Sequence, residues 1–412
     1  MMIRPLDRLQ EAFFHWGWLS PVVLPLTQLG GRGLFNTLAG VYALWGLLSF
    51  WSRQERLDRP MLRLYLALLG VFLLTIPGSV DPVAGIRTWL GFLMQSVTLL
   101  LIPLALRESP TNPDRLLDGM ALFGALTLAG LYLLLPGYLL GLSGQPFDHE
   151  TQLREDTLPF LTPFLLAWLW RNGPLRWRYI AMISVVALVL AYVALAEGRA
   201  ALLGLIAALT VFSGLVLGWR LRWTALLAVL VLAFAIAVNI HPFLKMQLDP
   251  EQPLDAFTAG RTALWRQALA HPPPRAWLGI GIGNGAYAGE EVLSFQLGAQ
   301  GHQVKHLHNF VLDAWYETGL LGVSLLLMLM GAVFVRLLRV WRCLSVQNRQ
   351  RAGVWLAAAT ALLTAGLLSF SYTSRQLACY LFVAFGALIA LSRHASEEAT
   401  LPAVVDTDRD RR

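Results

Sequence analysis

The chain has 412 residues, of which 56% are hydrophobic and only 14% charged, with a formal net charge of +7. Soluble domains are nearer half apolar and a quarter charged. Here the apolar residues stand in long uncharged blocks. That pattern argues against a soluble enzyme, a disordered protein and a small disulfide-stapled domain. The two cysteines, Cys343 and Cys379, make no disulfide or metal-ligand spacing.

A helix needs about 20 apolar residues to cross a hydrocarbon core of ~30 Å. In chain order, blocks of that kind fall near 13–29, 34–51, 61–77, 86–106, 116–141, 158–170, 179–196, 200–218, 223–240, 310–335, 352–371 and 376–392. Pro21 and Pro25 interrupt the first, and the short sixth carries Pro159 and Pro163. A bundle tolerates such breaks where neighbours satisfy the freed carbonyls. The expected class is all-α: a polytopic membrane protein of about 12 spans. Residues 1–395 form the transmembrane domain and 396–412 a polar cytoplasmic tail.

Orientation follows from the basic residues. With the N-terminus inside, twenty-two of the 32 lysines and arginines fall in inward-facing segments. This bias predicts an inner-membrane protein with both termini in the cytoplasm. Most of the basic surplus is then a topology signal, and nucleic acid is not an expected partner. The ten outward residues, Arg32, Arg87, Arg154, Arg199, Lys245, Arg261, Arg266, Arg275, Lys305 and Arg375, disobey the preference and need individual reasons.

Residues 241–309 are the one long interruption of the apolar pattern, read as a large periplasmic loop, and they hold five of the eight histidines. Helical apolar spacing runs from Phe257 to His271, and Pro272 to Pro274 stop it. Such an amphipathic helix can lie on the membrane or cap the bundle. Arg261 and Trp265 share one of its faces, whereas Arg266 stands about 140° round from Arg261. The run Gly279-Ile280-Gly281-Ile282-Gly283-Asn284-Gly285 lacks the strand a dinucleotide fingerprint needs, so a flexible or tightly turned loop is expected. Three features carry chemistry: Glu197-Gly198-Arg199-Ala200, the Arg261–Trp265 segment, and Lys305-His306-Leu307-His308-Asn309 ahead of a span. His308 either acts on substrate or bonds a carbonyl at the span mouth, and Asn309 suits a helix cap. Nine residues separate His308 from Glu317, about 180° on a straight helix, so the two point apart. Asp313 and Glu317 share a face and could meet an arginine.

These residues resemble the O-antigen ligase family, within the broader O-antigen ligase and polymerase superfamily. His308-Asn309 with Leu312, Glu317, Gly319 and Gly322 is similar to the family's His-Asn … Glu-x-Gly-x-x-Gly signature. Gly260 to Trp265 resembles its Gly-Arg-x-x-x-Trp segment, and the glycine run its glycine-rich stretch. Glu197 to Ala200 resembles a Ser-Arg-Gly-like turn, with Gly198 in place of the usual hydroxyl residue. The resemblance implies a glycosyltransferase C-like membrane enzyme that needs no metal or cofactor. Its implied donor is polysaccharide on undecaprenyl diphosphate and its acceptor a sugar hydroxyl of lipid A-core. Transfer at the periplasmic face would invert the anomeric carbon. Alternatives are an O-antigen polymerase or a protein O-oligosaccharyltransferase of the same superfamily, and, from another class, a transporter or flippase of an anionic solute.

The chemistry suits the residue types. A sugar hydroxyl benefits from a base that is neutral near pH 7, as histidine is. A departing diphosphate needs permanent positive charge, which arginine supplies with paired donors. His308, Arg199 and Arg261 are therefore the candidate catalytic residues. Arg154, Arg87, Arg266, Lys305 and Arg375 are the candidate substrate-binding residues.

Overall fold

The computed structural model describes residues 5–27, 31–50, 58–107, 111–139, 157–174, 176–195, 198–218, 261–287, 306–374 and 376–400. Among them there are helices and turns and no strand. The helices are α1 (Pro5–Trp16), α2 (Leu19–Thr27), α3 (Gly31–Phe50), α4 (Arg59–Thr75), α5 (Pro82–Ser96), α6 (Thr98–Ala105), α7 (Asn112–Leu139), α8 (Thr157–Asn172), α9 (Arg178–Leu195) and α10 (Arg199–Phe212). After a gap in the described residues come α11 (Arg261–Ala270), α12 (Phe310–Val340), α13 (Val346–Gly366) and α14 (Phe382–Thr400). Their starts are written in the sequence. The Asp58 carboxylate accepts from the Met61 amide at the head of α4, and Asp81 from Val83 and Ala84 at the head of α5. Asn309 and Ser345 do the same for α12 and α13. Each such cap satisfies amides that have no partner within their own helix.

Among the described residues, five helices are long and apolar enough to cross a membrane: Arg59–Gly78, Pro82–Ala105, Asn112–Leu133, Ala200–Leu217 and Phe310–Val340. Gly33–Ser49, Arg178–Val193 and Leu377–Arg393 are apolar but shorter. The block expected at 223–240 lies outside the described residues. The first block is two helices, but its break falls at Gly17–Trp18 and not at a proline. Pro21 sits in the first turn of α2, where its missing N–H has no helical acceptor to lose. Block 86–106 is divided at Val97, and α8 runs through Pro163 without a break.

Small residues set the packing that matters for the site. A Cβ on Gly204 of α10 would lie 2.7 Å from the Ala361 carbonyl oxygen and 3.5 Å from Ala365 Cβ, both on the α13 side. At the other end of the pair, a Cβ on Gly353 would lie 2.9 Å from Leu215 Cβ. The two helices therefore run antiparallel in near backbone contact. Small residues allow that approach where lipid supplies no hydrophobic drive between helices. The start of α10 is thereby brought to the end of α13.

Ion pairs gather at the opposite end. Arg336 of α12 bonds the Asp58 carboxylate, and Arg393 of α14 stands 3.6 Å from it. The Asp114 carboxylate of α7 accepts from Arg351 Nε at 2.9 Å and Arg171 Nη1 at 3.1 Å. Arginines read from the sequence only as orientation signals thus also tie α4, α12 and α14, and α7, α8 and α13, to one another. Asp58 is 7% exposed, so losing its partner would leave a buried charge.

Candidate active site

The site is built around a break in α12. Gly319 has φ 65° and ψ −169°, outside any helical region. That break frees peptide groups, and the glycine-rich loop takes them up. The Leu320 and Leu321 amides donate to the carbonyls of Ala276 and Trp277 at 2.9 and 3.3 Å. In return, Ile280 and Gly281 amides donate to the carbonyls of Tyr316 and Glu317 at 3.1 and 2.8 Å. The loop approaches so closely that a Cβ on Gly279 would lie 2.4 Å from the Glu317 carbonyl carbon. Gly279, Gly281 and Gly283 all have positive φ, which only glycine adopts readily. The expected tight turn is therefore a fitted cover on the kinked helix. Asn284 anchors its far side, accepting from the Asp81 amide at 2.7 Å and donating to the Asp81 carbonyl at 3.2 Å.

Glu317 closes this arrangement from below. It is 6% exposed, and its carboxylate accepts three hydrogen bonds. Gly285 N–H reaches Oε1 at 2.8 Å, while Gly283 N–H and the Tyr372 hydroxyl reach Oε2 at 2.9 and 2.7 Å. Asp313, one turn earlier and 2% exposed, accepts from the Leu307 amide at 2.7 Å and stands 3.9 Å from His306 Nδ1. Among the described residues, these two carboxylates meet backbone amides, the Tyr372 and Ser371 hydroxyls and a histidine, and no arginine.

The mouth of α12 is held by three consecutive carbonyls just past the end of α13. Asn309 caps α12 through Oδ1, accepting from Val311 and Leu312 amides at 3.0 and 3.1 Å, and donates through Nδ2 to the Leu367 carbonyl at 3.1 Å. Arg261, at the head of α11, donates to the Leu368 carbonyl. His308 Nδ1 faces the Ser369 carbonyl at 3.4 Å. A helix C-terminus leaves its last carbonyls unpaired and carries partial negative charge, so donors and cations collect there. A carbonyl can only accept, so this contact suits a His308 that carries a proton on Nδ1. His308 has φ 53°, rare for a residue with a side chain. Its amide donates to His306 Nδ1 at 3.2 Å, and the two rings stand 4.1 Å apart. Trp265 Nε1 donates to the Leu307 carbonyl at 2.8 Å, which docks α11 against the same turn.

His308 and Arg261 are thus brought together. Arg199 is the first residue of α10, the end that packs toward the close of α13. Arg266 is exposed on α11. Arg87 is exposed on α5, beside Asp81 and the glycine loop. Arg154, Lys305 and Arg375 lie outside the described residues. Sequence reasoning missed the carbonyls of residues 367–369, which no residue type announces. It also missed Tyr372, whose partner is 55 residues away.

Long apolar helices, and a histidine and an arginine gathered on unpaired carbonyls at one end of the bundle, define a polytopic membrane protein with a polar site at a helix mouth. Residues 184–327, about a third of the chain, match the family model described as O-Antigen ligase. The match takes in Arg199, Arg261, the glycine run, His308 and Glu317, but not residues 367–372. No curated protein matches the chain.

Proposed function

We propose that this protein is an O-antigen ligase of the bacterial inner membrane, with its site facing the periplasm. It transfers polysaccharide from undecaprenyl diphosphate to a sugar hydroxyl of lipid A-core. His308 Nε2 takes the proton of that hydroxyl as its oxygen attacks the anomeric carbon. The bond from that carbon to the diphosphate oxygen breaks on the opposite face, so configuration inverts. The released diphosphate keeps the electron pair, and Arg261 and Arg199 offset its charge. Arg154, Arg87, Arg266, Lys305 and Arg375 are the proposed contacts that draw in and seat the anionic donor. The step uses no nucleotide, because the donor's sugar–diphosphate bond carries the energy. General-base help of this kind is worth about 10²–10⁴-fold.

The observation that supports this reading best is the pairing of Arg261 and His308 on neighbouring carbonyls, Leu368 and Ser369. Purified protein, lipid-linked donor and lipid A-core should give ligated product without added metal or ATP. His308→Ala and Arg199→Ala should lose it at unchanged protein level. In cells, deletion should leave core without polymer while polymer persists on its lipid carrier. Core carrying a single repeat would point to a polymerase, an unsugared periplasmic protein to an oligosaccharyltransferase, and solute uptake into vesicles to a transporter.

A further inference from the structure

We infer that Glu317 is a positioning residue that joins the glycine-rich loop to the carbonyl turn holding Arg261 and His308. This inference rests on the reading of His308 and Arg261 as the reacting site. The amides of Gly283 and Gly285 converge on one point, as the amides of an anion-binding nest do. That point is already filled by the Glu317 carboxylate. The anion capacity of the glycine run is therefore spent inside the protein, and the donor's diphosphate falls to the arginines.

The third bond to the carboxylate gives it reach. Tyr372 is buried, and its hydroxyl donates to Glu317 Oε2 at 2.7 Å. It lies three residues beyond Ser369, in the same connection between α13 and α14 that offers the Leu367, Leu368 and Ser369 carbonyls. One carboxylate thus ties together the loop, the kinked helix and the turn on which His308 and Arg261 are seated. The cost of misplacing a reacting group by about 1 Å can reach 10²-fold in rate.

The test compares Glu317→Gln, Tyr372→Phe and the double variant in the purified full chain. Glutamine keeps one acceptor oxygen and the side-chain length, so it preserves folding better than alanine. Each single variant should lower kcat about tenfold while donor KM stays within about twofold, the pattern of an interaction used in the transition state. The double variant should fall little below Glu317→Gln, because both changes cut one network. Hydrogen exchange should speed up in Glu317→Gln both at 279–285 and at 367–374. Independent, multiplying losses in the double variant, unchanged kcat, or faster exchange confined to the glycine loop would each overturn the inference. If the unmodified protein transfers no sugar, the functional reading fails. The exchange experiment then still decides whether Glu317 couples the two segments.

Discussion

Gly204 of α10 and Ala361 of α13 stand so close that a Cβ on the glycine would lie 2.7 Å from the Ala361 carbonyl oxygen. Arg199 is five residues before Gly204, about 7.5 Å along the helix. Because the helices are antiparallel, that brings it to the level where α13 gives way to residues 367–369. Two residues far apart in sequence from the His308 turn thereby decide at which level of the bundle α10 begins.

Gly204 should not tolerate even a methyl group without movement, since its closest neighbour is backbone. Gly204→Ala should shift α10 against α13 and lower both the thermal midpoint and transfer. Small-to-large changes in packed interiors cost about 1–3 kcal/mol. Gly214→Ala serves as the control, because its added Cβ meets nothing within 4 Å. Thermal unfolding in detergent of the two variants side by side checks this. Equal stability would refute the contact.

His308 can be separated into its backbone and its ring. Its φ of 53° suits asparagine better than most residues. His308→Asn should therefore fold with a near-native thermal midpoint yet lose about 10²–10⁴-fold in transfer. Retained turnover in that variant would remove histidine from the chemistry.

Asn309 performs two tasks with two atoms. Asn309→Ala removes both cap and tether and should cost about 1 kcal/mol. Asn309→Asp keeps the acceptor for Val311 and Leu312 but replaces the donor that reaches the Leu367 carbonyl. It should retain most of the stability while reducing transfer. A variant that is stable and fully active would show that the Leu367 tether is dispensable.

Acid should loosen the cap of α5, beside which the loop is anchored. The Ala84 amide is the main reason the Asp81 carboxyl is held below the usual carboxylate range, with Val83, the Tyr287 hydroxyl and nearby Arg87 adding to it. A lowered folded-state value means the carboxylate's contribution is present above its unfolded value of about 4 and disappears as pH falls through the folded one. Thermal midpoints measured from pH 6 down should fall more steeply below about pH 4 in the unmodified chain than in Asp81→Asn. Parallel curves would count against this role.

Much of the scaffold was legible along the chain. Apolar blocks located α4, α5, α7, α10 and α12, because helix formation and burial in lipid depend on residues close in sequence. Pro272 to Pro274 marked the stop of α11 for the same reason. Asn309 ahead of α12 was visible as its cap. The straight-helix angle between His308 and Glu317 does not apply, because His308 stands ahead of α12 with φ 53°.

The sequence by itself determined which segments become helices and which ionisable residues stand at their ends. Only the tertiary structure decided what those residues face. Arg261, His308 and Asn309 meet the carbonyls of Leu368, Ser369 and Leu367, and Glu317 meets Gly283, Gly285 and Tyr372. The physical reason is that a backbone carbonyl is the same acceptor at every residue. Which one is left unpaired, and which donor reaches it, depends on where α13 ends and on how tightly Gly204 lets α10 pack against it.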